Sequence, residues 1–167
     1  MITQLNLTGE SLDSLVSAGN PNLRKCFDTY SSNLAKLDRD GQRMLKRADE
    51  MKLNSKDYFA EWEKQGDAFV NREIRELSEE RRTKLANLYA QVPAASTGVR
   101  GAYTDCLTDM KEIQRHLSND LTPKGVEAVA PVAHKAAQNR EALKVSLKPV
   151  LSALDEIKAE LYSGKKK

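Results

Sequence analysis

A seven-residue repeat runs unbroken through more than a quarter of this chain. Leu23, Phe27, Tyr30, Leu34, Leu37, Gly41, Met44, Ala48, Met51, Ser55, Tyr58, Trp62, Gln65 and Phe69 follow alternating steps of four and three. Such spacing winds one narrow apolar seam along a helix, and the seam must be buried against other helices. A loop inside the repeat would reset its phase, so Asn54-Ser55 reads as helix. Asn20 reads as an N-cap and Pro21 as a first helical residue, where a missing N–H costs nothing. The repeat therefore predicts one helix over about residues 21–68.

Two further helices follow. Asn71 can cap a helix that begins at Arg72 and carries Glu73 in its first turn. Its apolar row is Leu85, Leu88, Val92, Ala95, Val99, Tyr103, Cys106, Met110, Ile113 and Leu117. Two successive steps of four make a stutter there, which locally unwinds a supercoil. Pro93, Gly98 and Gly101 cluster at that point, and Pro93 is expected to kink the helix. Thr122-Pro123 opens the last helix, whose row is Ala136, Arg140, Leu143, Leu147, Val150, Leu154, Ile157 and Leu161, with Gly164 as its stop.

The predicted spans are thus residues 21–68, 72–118 and 122–163, each about 60–70 Å long at 1.5 Å per residue. Residues 1–20 are expected to hold only a short helical turn, with Leu12, Leu15 and Val16 behind a Thr8 cap. Residues 164–167 form a basic tail. Short connections make sequential helices antiparallel. The expectation is a single all-α domain over residues 1–167: an elongated antiparallel three-helix bundle with coiled-coil-like heptad packing, plus that N-terminal turn.

Composition agrees with long helices, since 31% of residues are charged and only 5% aromatic. Lys165, Lys166 and Lys167 account for the whole net charge of +3, so the rest of the chain is formally neutral. Nucleic-acid binding needs a basic excess to release counterions, and none is present. The three lysines could touch an anionic membrane surface, at about 1 kcal/mol each. The simpler reading is a solvated tail. No apolar run reaches the ~18 residues of a transmembrane helix. The opening Met-Ile-Thr-Gln-Leu-Asn lacks the pattern of a signal peptide. The expected compartment is therefore the periplasm or cell envelope if a leader was removed, and the cytoplasm otherwise.

Antiparallel counting places Gly41, Gly98, Gly101 and Arg140 in one cross-section. Arg140 occupies a seam position, and a buried guanidinium requires an acidic partner. Asp40, Asp38 and Asp105 lie within a few residues of that level. A buried, register-setting ion pair is the simpler reading, and an anion site the functional one. Tyr58, Phe59, Trp62 and Phe69 gather the aromatics at one end of the bundle. They either close the core beside a loop or form a patch for a partner or lipid. Ser78-Glu79-Glu80-Arg81-Arg82 reads as a solvated face with i,i+4 pairing.

His116 and His134 are too far apart on this register to share a metal, and Cys26 and Cys106 too far apart for a disulfide. No phosphate-binding glycine loop, dinucleotide motif or zinc-protease motif is present. No catalytic residue, cofactor or metal is expected.

Three segments resemble a known family in order and content. They are Tyr58-Phe59 with Trp62-Glu63, then Ser78 to Arg82, then Met110-Lys111, Ile113, Leu117 and Asp120-Leu121-Thr122. The chain resembles the bacterial domain-of-unknown-function family 2959 over about residues 23–160. The resemblance implies a helical protein, often exported, with no agreed activity and no functional residue to carry over. The resulting expectation is a non-enzymatic helical interaction or spacer module of a bacterial cell-envelope protein, with a protein partner or self-association. The alternative is a peripheral membrane or lipid-binding bundle.

Overall fold

The computed structural model describes residues 1–17 and 21–162; the expected Asn20 cap, Gly164 stop and tail lysines lie outside them. The fold is all-α. Four helices occur among the described residues: α1 (Ile2–Val16), α2 (Leu23–Asp67), α3 (Arg72–Asn119) and α4 (Pro123–Tyr162). α2 continues unbroken through Asn54-Ser55. The Asn71 side-chain oxygen accepts the Ile74 N–H at 3.2 Å and starts α3. The Thr122 hydroxyl accepts the Gly125 N–H at 3.1 Å and donates to the Asp120 carboxylate at 2.7 Å, which starts α4. A Cβ at Gly125 would collide with the Asp120 carbonyl, so that turn requires glycine.

The chain divides into two compact units, Met1–Met44 with Gly98–Ser146, and Leu45–Thr97 with the chain from Leu147 onward. α2, α3 and α4 each contribute to both.

The first unit is built on four helical segments. From α1 come Leu5, Leu12 and Leu15, and from the other helices Tyr30, Leu34, Leu37, Met110, Ile113, Leu117 and Leu143, all almost wholly buried. The buried hydroxyls of α1 are satisfied locally, Thr8 donating to the Gln4 carbonyl at 2.7 Å and Ser11 to the Thr8 carbonyl at 2.8 Å. The Tyr30 hydroxyl donates to the Met110 carbonyl at 2.8 Å and so pins α2 to α3. Burial, with Cys106 nearby, pushes the Tyr30 phenol well above its ordinary range.

α1 is the main departure from the expected architecture. A single turn was anticipated, and a 15-residue helix is found. Thr8 sits inside it rather than capping it. An isolated helix of this length is marginal in water. This one is held by tertiary burial of its leucine row, a gain that local sequence does not display.

In the second unit α2 turns a different row inward. Phe59 is buried and Gly66 half-buried, whereas Tyr58, Gln65 and Phe69 are exposed. The strict heptad had placed Tyr58, Gln65 and Phe69 in the seam. An α-helix has 3.6 residues per turn rather than 3.5, so a strict heptad row drifts by ~20° each repeat. Over five repeats that amounts to about one residue step, the shift seen from Tyr58 to Phe59. On α3, Leu88 and Tyr89 are both half-buried, as are Ala95 and Ser96. Two staggered rows share that face, where a single stuttering row was expected. On α4, Ala153 and Ile157 are buried while Leu154 and Leu161 stand exposed.

Candidate interaction surface

The polar core features come apart into two layers of the first unit. Arg140 packs against Gly9 of α1, so closely that a Cβ there would overlap the Arg140 guanidinium. Its Nη1 lies 3.5 Å from Asp13, also on α1, and its Nε 3.7 Å from Glu141. These are long contacts, and the buried Nε has no hydrogen-bond partner. Asp38, Asp40 and Asp105 form no ion pair with Arg140.

Gly41 instead receives the ring of Tyr103, whose hydroxyl donates to the Asp38 carbonyl at 2.9 Å and carboxylate at 3.0 Å. Lys111 completes that layer, 2.7 Å from Asp38. Burial raises the Asp38 carboxyl, but the hydrogen bonds from Lys111 and Tyr103 outweigh it and hold the group below its usual range. Asp40 is half-buried and Asp105 exposed, while Gly98 and Gly101 face open space. The glycine that makes room for Arg140 is therefore Gly9, on a helix that the three-helix register had left out.

Cys106 is fully buried, and burial pushes its thiol up to about 11 despite the nearby Arg140 charge. Cys26 is half-buried, and neither cysteine is in a disulfide. Among the described residues, no group of three or more His, Cys, Asp or Glu side chains could hold a metal, and no helix is long and apolar enough to cross a membrane.

The aromatic group belongs to the second unit and is split by the drift of α2. Phe59 stacks on Trp62 with ring centroids 6.2 Å apart and meets the edge of Tyr89 at 5.5 Å. The Trp62 indole N–H donates to the Ser78 hydroxyl at 2.9 Å. Tyr58 packs on Phe59 and Trp62 from outside and is exposed. Phe69 lies apart from these rings at the loop, where its carbonyl accepts two hydrogen bonds from Arg75. Tyr89 joins the cluster unforeseen, because the sequence row ran through Leu88 beside it.

The basic end of the charge run ties α3 to its neighbouring helices, together with Lys84. Arg81 and Lys84 each lie 2.7 Å from Glu160 of α4, and Arg82 lies 3.1 Å from Glu63 of α2. Hydrogen bonds from Lys84 and Arg81 hold the Glu160 carboxyl below its usual range.

These ties orient the start of α3. Ile74, Leu77, Arg81 and Lys84 are spaced 3,4,3 and share one side of α3, and Val70 lies just before the helix. Arg81 and Lys84 on that side meet α4. Ile74 and Leu77 continue the same row toward the loop. Val70 is 97% exposed, Leu77 60%, Ile74 48% and Phe69 40%. Isolated exposed leucines are ordinary, whereas here several exposed apolar side chains adjoin.

Fold and surface together define an all-α protein whose described residues assemble no metal cluster and leave an apolar row open at one helical hairpin. The chain belongs to the family described as protein of unknown function DUF2959, whose model matches residues 3–159. No curated protein and no solved structure matches it.

Proposed function

We propose that this chain is a non-enzymatic helical interaction module. In this reading α2, α3 and α4 pack as an antiparallel three-helix bundle that α1 braces, and the hairpin joining α2 to α3 presents the binding surface. The observation that carries the reading is the uncovered row of Val70, Ile74 and Leu77. Burying each of these side chains on a partner would contribute about 1.5–3 kcal/mol, enough for a specific interface to be centred on them.

The test is a photo-cross-linking residue at position 77 in living cells, with position 145 of the first unit, also exposed, as comparison. Discrete protein adducts are expected from position 77, lost when Ile74→Asp is added. No protein adducts from position 77, with lipid labelling in their place, would remove the reading in favour of a membrane-surface role.

A further inference from the structure

The open row on α3 has one acidic border. Ser78 and Arg82 lie on the side that meets α2, through Trp62 and Glu63. Glu73 and Glu80 are seven residues apart and flank the row on its other side, with Glu76 and Glu79 farther round the helix. Among the nearby cations Arg72 pairs with Glu76 at 2.8 Å and Arg81 and Lys84 share Glu160, while Arg75 is turned toward the Phe69 carbonyl. Glu73, Glu79 and Glu80 have no ion pair among the described residues. The surface thus combines apolar side chains at helical spacing with two glutamates along one edge, Glu73 and Glu80, that make no ion pair among the described residues.

We infer that the start of α3 is a docking site for an amphipathic helix of another protein, one with an apolar row bordered by lysine or arginine. This rests on the interaction reading above and names the chemistry of the partner. Such a helix would extend along α3 the type of contact that α4 makes at Arg81 and Lys84. Its leucine-type side chains would cover Ile74 and Leu77, and its cations would face Glu73 and Glu80. A second copy of this chain fits less well, because two copies of α3 paired antiparallel along this row would bring Glu73 and Glu80 against each other, and like charges at such positions repel.

Two synthetic helical peptides of about 18 residues, five turns, test this. They share one leucine row and differ only in carrying lysine or glutamate flanks. Binding to the full chain is measured by fluorescence anisotropy at low salt. Saturable binding of the lysine-flanked peptide is expected, at least about fivefold tighter than the glutamate-flanked one. The double substitution Glu73→Lys and Glu80→Lys should reverse that preference. Ile74→Asp with Leu77→Asp should abolish binding while leaving the helical circular dichroism unchanged, since all these side chains are solvent-facing.

Equal binding of both peptides, still lost in the Ile74/Leu77 variant, would overturn the basic partner and leave the interaction reading intact. Binding that survives the Ile74/Leu77 variant would overturn the site itself. A concentration-dependent dimer sensitive to Leu77→Asp, without peptide binding, would assign the surface to a second copy. Binding that emerges only after residues 163–167 are deleted would assign it to the chain's own lysine tail.

Discussion

The two units are made largely from the same three helices, yet they pack to different depths. Every large side chain with less than 2% exposure, from Tyr30 to Thr8, belongs to the first unit. In the second unit the best-covered side chains are Val92, Leu147, Leu85, Ala153 and Ile157, and Leu53, Val70 and Leu77 stand mostly in solvent. The first unit has α1 as a fourth layer, which carries three leucines into its core. The second has none, and its helix pairs are held by ion pairs to Glu160 and by an aromatic cluster open on one side. An added helix closes a core; without one, an apolar row is left over for something else.

The largest expected effect tests that difference in packing. Leu12→Ala should cost about 2–5 kcal/mol in chemical denaturation, because a fully buried leucine leaves a cavity. Leu77→Ala should change stability by no more than about 0.5 kcal/mol, as an exposed position away from special features. Similar losses at the two sites would break the comparison.

The Gly9 contact gives the next effect. Gly9→Ala should destabilise by about 1–3 kcal/mol, since the methyl forces the Arg140 guanidinium out of place. In an Arg140→Ala background the same change should become neutral or stabilising, because alanine favours a helix interior over glycine. Additive effects would mean that Gly9 serves some purpose other than making room for Arg140.

pH sharpens the comparison further, since the buried thiol lies in the first unit. The folded Cys106 thiol is raised to about 11, above an unfolded value near ~8.5. Its contribution is therefore fully present below about pH 8.5 and is lost as pH rises toward 11. Cys106→Ala should flatten the alkaline decline in melting temperature relative to the parent. A thiol reagent should label Cys26 long before Cys106. The acid side gives the smallest effect. Asp38 is lowered in the folded state, so its contribution is present above about pH 4 and is lost as pH falls through the folded value. Asp38→Asn should reduce the acid sensitivity by less than about 1 kcal/mol, because solvent screens this partly open group.

Much of the fold was legible in the sequence. Caps at Asn71 and Thr122 mark real helix starts, and an unbroken phase through Asn54-Ser55 carried α2 correctly. Helix existence follows from local periodicity, which one chain segment displays by itself. Rotation of a long helix does not. Tyr58 and Phe59 exchanged roles because the drift of 3.6 against 3.5 accumulates with length and is corrected only by neighbouring helices. α1 was underestimated for a related reason: its stability comes from burial of Leu5, Leu12 and Leu15, which only the assembled unit reveals. With α1 unplaced, Arg140 was assigned to the wrong glycine and the wrong aspartates. At the candidate surface, Phe69 was anticipated, but Val70, Ile74 and Leu77 were not. They precede Leu85, where the recognised row began, and their significance depends on where α4 meets α3.

The central claim is that stability is concentrated in the first unit while the hairpin of the second remains an open binding surface. Native-state hydrogen exchange resolved by peptide tests it most directly. The claim predicts that amides of Leu5–Leu15 and Tyr30–Leu37 exchange only through global unfolding, whereas those of Ile74–Glu80 exchange orders of magnitude faster through local opening. Equal protection of Ile74–Glu80 and Leu5–Leu15 in the isolated chain would contradict it.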